Sequence, residues 1–295
     1  TTQDALYASQ AQADQEVSLA EKEVGNYVSA LRIGFEAVNQ SGLIRLETIL
    51  AIQEAIESNR AGLRKVPGTV LRNESTGETI FEPPQDGAEV ESLMDNLVRF
   101  IHSEDELDPL LRLAIVHHQF ESIHPFYDGN GRTGRILNIL ILIRENLLPI
   151  PILYLSRYIN QTKQKYYRLL QATRTETPIN WEPWCLYLLR GIEVTATHEL
   201  QLIRDLQAMM MDYKVRIRDQ FKRFYSQDLL NTLFRYPYTK IEFIERELGV
   251  SRPTASKYLD LLAKGGFVEK RKMGRTNYYI NRPLFALLAR SENLT

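Results

Sequence analysis

Cysteine is almost absent from the chain, which has only Cys185 among its 295 residues. One thiol excludes an intramolecular disulfide framework and a cysteine-rich zinc site, and it is typical of a reducing compartment. Net charge is also small, at −1, which argues against a protein that coats nucleic acid over its whole surface. No apolar run approaches the ~20 residues that a membrane span requires, and the first residues lack the features of a signal peptide. These absences predict a cytoplasmic protein with no membrane partner.

Helix-forming patterns fill most of what is present. Hydrophobic residues make up 44% of the chain and charged residues 25%, a globular composition. The length favours two domains, because a single domain usually has roughly 100–200 residues. Apolar residues recur at three- and four-residue spacing, which predicts a mainly α fold with helices at 4–38, 43–58, 89–102, 108–122, 132–146, 162–173, 181–191 and 196–225.

One segment before residue 85 has a different pattern. The β-forming stretches 69–72 and 78–81 flank a polar turn, and Pro83-Pro84 closes the unit, which predicts a β-hairpin. An isolated hairpin is marginally stable unless something packs on it. It is either a structural ornament or a flap that pairs with an extended segment of a partner.

The last part of the chain has the pattern of a winged helix-turn-helix. Helices at 241–248 and 253–262 precede two strands at 267–272 and 276–280. On the second helix, the residues that would face a DNA major groove are Ser251, Arg252, Thr254, Ser256 and Lys257. On the wing, the cations that could neutralise phosphates are Lys270, Arg271, Lys272 and Arg275. Residues 251–275 could therefore bind DNA, or the module could serve protein contact or dimerisation.

One stretch combines titratable, glycine and basic residues between two apolar helical segments: His124-Pro-Phe-Tyr-Asp-Gly-Asn-Gly-Arg-Thr-Gly-Arg135. Its three glycines let backbone N–H groups approach a ligand closely. Because the loop leads directly into a helix near Arg132, those N–H groups and the positive end of the helix dipole predict an anion site. Arg132 and Arg135 add the paired donors that phosphates prefer.

Three further side chains of this loop indicate its chemistry. Asn130 could donate to a phosphate oxygen. Asp128 would be repelled by a phosphate unless a cation is shared, which predicts Mg²⁺ between this carboxylate and the phosphates. The imidazole of His124 titrates near neutral pH and can accept a proton from a nucleophile. The structural alternative is a helix–loop–helix turn with a core histidine and surface arginines. Neither a Walker A loop nor a dinucleotide-binding fingerprint is matched.

The pattern His124-Pro-Phe-x-Asp-Gly-Asn-Gly-Arg-x-x-Arg135 resembles the complete signature of the Fic family. Members of this family are protein adenylyltransferases that transfer AMP from ATP to a hydroxyl side chain. The resemblance implies His124 as the base that deprotonates a Tyr, Thr or Ser hydroxyl of a target protein, with release of pyrophosphate. It implies Asp128 as the ligand of Mg²⁺ on the α- and β-phosphates. The nucleotide-binding residues that it implies within the motif are Gly129, Asn130, Gly131, Arg132, Thr133, Gly134 and Arg135.

Two residues beyond the motif resemble family positions less specifically. Lys165-Tyr-Tyr167 is similar to the segment that contacts adenine, which implies Tyr167 as the aromatic residue. Arg174 follows at a place that faces the nucleotide in relatives. An ordinary helix face explains both residues nearly as well. The hairpin is similar to the family's target-docking flap, so we expect the target protein to dock on residues 66–84.

The resemblance extends to the architecture of the whole chain. It implies a mainly α fold, in which a Fic helical core carries a β-hairpin flap and is followed by a C-terminal winged-helix domain. The predicted parts are an N-terminal helical region, the Fic catalytic core, a linking helix and the winged helix-turn-helix, at 1–60, 61–195, 196–225 and 226–295.

Many Fic proteins carry an inhibitory Ser/Thr-x-x-x-Glu-Gly/Asn helix, whose glutamate pairs with the second arginine of the motif, here Arg135. Neither glutamate that precedes Gly or Asn, Glu145 or Glu292, has Ser or Thr four residues earlier. We therefore expect the inhibitory helix upstream of Thr1. The sequence is also compatible with a DNA-binding regulator that uses the Fic core as a nucleotide sensor, and with a Fic enzyme that uses another donor or removes AMP. A homodimer is possible in each case.

Overall fold

The computed structural model describes residues 19–72, 77–175, 177–274 and 276–290. These residues form a mainly helical protein with two small antiparallel sheets. The chain divides into two compact units, one ending at Ala196 and the other beginning at Thr197. None of the helices among the described residues combines the length and the apolar character that crossing a membrane requires. Each unit has its own hydrophobic core.

The first unit contains seven complete helices of the described chain and the start of an eighth. Their bounds are α1 Leu19–Ser41, α2 Leu46–Glu57, α3 Gly87–Ile101, α4 Pro109–Ile123, α5 Asn130–Arg144, α6 Ser156–Gln161, α7 Lys163–Thr175 and α8 Glu182–Gln220. Two starts follow from local sequence: the Asp86 carboxylate accepts from the Ala88 N–H, and Asp108 accepts from the Leu110 N–H. Such side-chain caps satisfy donors that the first helical turn leaves unpaired.

Helix α5 is the centre of the first unit. Its residues from Ile136 to Ile143 are all buried, because it packs against α1, α2 and α4 on different sides. A helix that is apolar all round belongs in a core. Gly34 lets α1 approach α5 closely, since a Cβ on Gly34 would lie 2.8 Å from Leu140 Cδ1. The buried position of α5 fixes its N-terminus, where the glycine-rich motif ends.

The predicted hairpin forms from two short strands, β1 Leu71–Arg72 and β2 Thr79–Phe81. They pair antiparallel, with Leu71 opposite Phe81. The predicted turn between them lies mostly outside the described residues. The ends of the hairpin are clamped by Gln85, whose Oε1 accepts from Gly68 N–H at 2.7 Å and whose Nε2 donates to Thr69 O at 2.9 Å.

The second unit combines the C-terminal part of α8 with a small α/β arrangement. Its elements are α9 Gln227–Arg235, β3 Tyr238–Thr239, α10 Ile241–Leu248, α11 Arg252–Lys264, β4 Glu269–Met273, β5 Thr276–Ile280 and α12 Arg282–Arg290. The strands form one antiparallel sheet in the order β3-β5-β4. Tyr213 and Ile217 of α8 lie in the core of this unit. The arrangement is compatible with the predicted winged helix.

The structure differs from the sequence prediction at Gly191. We predicted one helix at 181–191 and a separate linking helix at 196–225, but α8 runs unbroken through both. Gly191 does not end the helix. It makes room for a neighbour instead, because a Cβ there would lie 2.7 Å from Tyr158 Cδ1. Local sequence does not distinguish a glycine that terminates a helix from one that permits close packing.

Candidate functional site

The glycine-rich motif folds as a tight loop between α4 and α5. His124 caps the end of α4 in the left-handed region, with φ 48° and ψ 60°. Gly129 caps the start of α5, also left-handed, with φ 81°. Asn130 holds the loop closed: its Oδ1 accepts from Phe126 N–H at 2.9 Å, and its Nδ2 donates to Phe126 O at 2.8 Å. We expected the Asn130 side chain to donate to a phosphate, but in the structure both of its polar atoms bond the loop.

The N-terminus of α5 is the predicted anion site, and carboxylates lie close to it. The Gly129 N–H donates to Asp128 Oδ1 at 2.7 Å. Glu57, the last residue of α2, lies so close that a Cβ on Gly129 would be 2.6 Å from its Oε1. Asp128 itself is exposed. Backbone donors at a helix N-terminus favour negative charge, so this position is suited to an anion.

His124 lies at the entrance of this loop and is electrically neutral at neutral pH. Burial, together with the charges of Arg64 and Arg174, lowers the pKa of its imidazole to about 4. Its Nδ1 is buried without a hydrogen-bond partner among the described residues. A neutral imidazole can accept a proton, which is the requirement for a general base.

The two arginines of the motif have different surroundings. Arg132 is paired twice, through Nη1 to Glu23 Oε1 at 2.8 Å and through Nη2 to Glu57 Oε1 at 2.6 Å. Arg135 lies over Gly131, since a Cβ there would be 3.0 Å from Arg135 Nη1. Within the described chain, Arg135 Nε is buried and has no hydrogen-bond partner. Both guanidinium groups are near the start of α5, but Arg132 already contacts carboxylates.

The remaining candidate residues of the motif have structural surroundings. Thr133 is fully buried, and its N–H donates to Gly129 O at 2.9 Å. Gly134 packs against α4, because a Cβ there would lie 3.0 Å from Phe120 Cδ1. Neither residue presents a side chain at the loop surface.

Tyr167 and Arg174 both lie on α7 but differ in exposure. Tyr167 is 45% exposed and contacts Tyr166 edge to face, so its ring is open to a ligand. Arg174 is half-buried: its Nη2 donates to Glu121 O at 2.8 Å, and its guanidinium lies 3.7 Å from the centre of the Phe81 ring. Arg174 therefore joins the hairpin to the end of α4.

Sequence patterns missed Arg64 and Glu57, which reach this loop from other parts of the chain, and gave no role to Tyr127 within the motif. Arg64 donates to the carbonyl oxygens of His124 and Ile123, and the Tyr127 hydroxyl accepts from the Lys65 N–H. These contacts join parts of the chain that are far apart in sequence, and the residue types carry no local signal. The motif marks the loop, but not the residues that support it from other elements.

Comparisons with known proteins identify the family to which the sequence around this loop is similar. The sequence profile of the Fic/DOC family matches residues 43–142, which include the whole motif. The chain carries a Fic domain. A second profile, described as the C-terminal domain of SoFic-like protein adenylyltransferase, matches residues 209–284.

Individual relatives match shorter parts of their own sequences. The chain is 37% identical over 84 residues to a probable protein adenylyltransferase of Aquifex aeolicus (strain VF5), covering 28% of this chain and 26% of that one. It is 31% identical over 154 residues to protein adenylyltransferase fic-1 of Caenorhabditis elegans, covering 50% of this chain and 28% of that protein. The matches thus span about a quarter of the length of these curated relatives.

A similar fold is found in a crystal structure of a Fic family protein from Desulfovibrio desulfuricans G20. The TM-score is 0.52 at 22% sequence identity, and the alignment covers 93% of this chain and 80% of that chain. At this identity the likeness concerns the fold alone. The residues that match the Fic/DOC profile therefore lie in a fold similar to that of the Desulfovibrio desulfuricans protein.

Proposed function

We propose that this protein transfers AMP from ATP to a Tyr, Thr or Ser hydroxyl of a target protein and releases pyrophosphate. The observation that carries the proposal is the geometry of the motif. A buried, neutral His124 lies at the end of α4, and the exposed Asp128 lies beside the helix N-terminus at Gly129. Arg132 and Arg135 are on the first turns of α5. A side chain that can act as a base and a helix N-terminus suited to an anion are adjacent in one loop, which supports the proposal.

In the proposed reaction, the target hydroxyl oxygen attacks the α-phosphorus of ATP and its proton passes to His124. The bond between the α-phosphorus and the bridging oxygen breaks, and pyrophosphate leaves with that oxygen. Backbone N–H groups of Gly129, Asn130 and Gly131 would stabilise charge on the transferred phosphate. Arg132 and Arg135 would bind the β- and γ-phosphates. Most of the catalysis is positioning and charge stabilisation.

Asp128 is the residue that would hold Mg²⁺. No group of three metal-binding side chains is found in the described part of the chain. Mg²⁺ commonly binds one or two carboxylates together with substrate phosphates and water. Asp128 is exposed beside the anion site, as such sharing requires. When bound, the ion would neutralise charge on the phosphates.

The target protein would dock on the flap, residues 66–84. In the described chain this flap is a two-stranded sheet, so its outer edges have no strand partners. An extended target segment could add to such an edge through backbone hydrogen bonds. Tyr167 would contact adenine, because its exposed ring is available for stacking. The cytoplasmic location is supported by the single, buried Cys185, and a homodimer stays a prediction.

The proposal is tested by supplying ATP labelled either at the α- or at the γ-phosphate, with candidate target proteins. We expect label on protein from the α-position only, and none with His124→Ala, whose affinity for ATP should stay close to wild type. His102→Ala, at the end of α3, is the matched control. Label from the γ-position, or unchanged labelling by His124→Ala, would contradict the assignment. Competition by unlabelled nucleotides identifies the preferred donor.

DNA binding through residues 251–275 is a separate prediction. Several cations there already contact carboxylates: Arg252 lies 3.0 Å from Glu242, and Lys270 lies 2.8 Å from Asp260. These ion pairs argue against a strong phosphate-binding surface, because each cation would have to give up its carboxylate or share itself between the carboxylate and a DNA phosphate. A mobility shift of duplex DNA by the full chain that weakens with salt would support the prediction. No shift at low salt would exclude it.

A further inference from the structure

Arg64 is an almost fully buried arginine close to the proposed base. It is 1% exposed, which is rare for a charged side chain. Its Nε donates to His124 O at 2.7 Å, and its Nη2 donates to Ile123 O at 3.0 Å. Its own backbone N–H donates to Pro125 O at 2.9 Å. A buried charge needs compensation, and here the guanidinium finds it in the carbonyl groups of Ile123 and His124.

These carbonyls lie where α4 ends and need donors. The last turn of a helix leaves carbonyl groups without intrahelical partners and carries the negative end of the dipole. His124 also has a left-handed backbone with φ 48°. This conformation costs a non-glycine residue about 1–2 kcal/mol, so surrounding contacts must impose it. Arg64 provides the hydrogen bonds and the charge that stabilise the His124 backbone in this conformation.

The same residue begins the segment that becomes the flap. Immediately after Arg64, the N–H groups of Lys65 and Val66 point to the Tyr127 hydroxyl, at 3.0 and 3.3 Å. The other end of the flap returns to this point, because a Cβ on Gly87 would lie 2.9 Å from Lys65 Cα. The first end of the flap is thus attached to the motif loop by hydrogen bonds to Tyr127, and the other end packs closely on the first.

The second strand of the flap is attached to the same helix end. Phe81 lies against the Arg174 guanidinium at 3.7 Å, and Arg174 donates to Glu121 O and to Ser122 Oγ. Phe81 of the second strand therefore connects to the last turn of α4 through Arg174, and Arg64, which bonds the carbonyls at that turn, precedes the flap in the chain. Contacts on both sides of the flap thus lead to the end of α4.

We propose that Arg64 is a positioning residue, which fixes the His124 imidazole relative to the flap so that a hydroxyl presented on the flap meets the base. The inference rests on the proposed function, because it assumes that His124 accepts the target proton. Arg64 itself does not touch the reacting atoms. Its contribution should appear in the chemical step rather than in the binding of ATP.

The test uses the full chain with Arg64→Met and Arg64→Lys. A displacement of about 1 Å at a reacting group costs on the order of 100-fold in rate, so we expect Arg64→Met to lower kcat by about 100-fold. The KM for ATP should stay within about twofold. Arg64→Lys keeps the charge and one donor, and should recover part of the loss. Arg60→Met is the matched control, because Arg60 is 87% exposed in the same segment. It should retain wild-type kcat.

The pH profile is a second readout. The charged groups that face His124 are Arg64, Arg174 and Asp128. Removing the Arg64 charge removes one of two cations that keep the imidazole neutral, so the acid limb of activity should move to higher pH in Arg64→Met. A role limited to overall folding would not move that limb.

Tyr127→Phe keeps the inference testable if Arg64→Met fails to fold. Tyr127 is 51% exposed, and this change removes only the acceptor of the Lys65 and Val66 N–H groups. We expect a drop in kcat of about 10-fold, with the KM for ATP unchanged. If the wild-type chain transfers no AMP, the proposed function fails and this inference with it. If the wild type is active and the folded Arg64→Met and Tyr127→Phe variants match it, only this inference is overturned.

Discussion

The buried histidines of α4 should make the stability of the first unit fall at acidic pH. His117 is the residue through which we test this. His117 is buried in α4, and its ring stacks on Trp184. The Asn138 side chain lies 3.1 Å from its Nδ1, and the Tyr166 hydroxyl lies 3.0 Å from its Nε2. Burial, followed by the charges of Arg135 and His118, lowers the pKa of His117 to about 3. The ring is therefore neutral in the folded protein at any pH above that value.

The sign of the effect follows from where the proton binds. In the unfolded chain a histidine binds a proton near pH 6.5, but folded His117 does not do so until about pH 3. Its stabilising effect is complete above pH 6.5 and is lost as the pH falls toward 3. At pH 5 the loss is about 2 kcal/mol, because 1.5 pH units separate this pH from the unfolded pKa. His118, whose pKa burial lowers to about 4, should add about 2 kcal/mol by the same reasoning.

Tryptophan fluorescence measures the effect in the first unit alone. The chain has two tryptophans, Trp181 and Trp184, and both contact the buried histidines. We expect the stability difference between pH 7 and pH 5 to be about 2 kcal/mol smaller in His117→Gln than in the wild type. With an m-value of about 2 kcal/mol/M in urea, the shift of the unfolding midpoint between the two pH values should differ by ~1 M.

The comparison of two pH values removes the direct cost of the substitution, since that cost is present at both. His198→Gln is the control for loss of a histidine outside this buried group. An equal pH dependence in His117→Gln and wild type would refute the reasoning. It would mean that the ring is protonated in the folded state, or that it reaches solvent.

The other predictions concern the motif loop. Burial and two arginines lower the pKa of His124 to about 4. We therefore expect kcat/KM for AMP transfer to change by less than about twofold between pH 8 and 5.5. A fall in kcat/KM centred near pH 6.5 would contradict this. Glu57→Gln should tighten ATP binding by about 10-fold in a calorimetric titration, because Glu57 and a phosphate would compete for Arg132. Glu54→Gln is the control. Weaker ATP binding by Glu57→Gln would oppose this explanation. Gly129→Ala should destabilise the first unit by about 1–2 kcal/mol, because φ is 81° and the added Cβ would lie 2.6 Å from Glu57 Oε1. An unchanged urea midpoint would show that the loop adapts.

Local sequence predicted much of the secondary structure, for identifiable reasons. The helix predicted at 241–248 coincides with α10, because its apolar spacing and the following Gly249 are both local signals. Asp108 and Pro109 start α4 as cap and first helical residue. Helices α9 and α12 were not predicted, although α9 carries a local start signal, since the Ser226 side chain accepts from the Leu229 N–H. The mainly α fold with a β-hairpin flap is confirmed.

The surroundings of the site could not be predicted in the same way. Arg132 pairs with Glu23 across 109 positions and with Glu57 across 75. Such pairs depend on how α1, α2 and α5 pack, and no spacing along the chain encodes them. Arg64 is the same case, because its contact with His124 spans 60 positions. Sequence identified the loop because its residues are contiguous, and it missed the residues that come from distant parts of the chain.

The different surroundings of the two motif arginines bear on how the loop would bind a nucleotide. Arg132 already pairs with Glu23 and Glu57. A phosphate that bound Arg132 would replace these ion pairs, so the net gain in binding free energy would be small. Arg135 has a buried Nε with no partner among the described residues, and an unsatisfied buried donor is costly. A phosphate that satisfied Arg135 would relieve that cost as well as form a new bond. On this reasoning, Arg135 would contribute more to phosphate affinity than Arg132 in the proposed reaction. It is also the residue at which a competing carboxylate would be most effective.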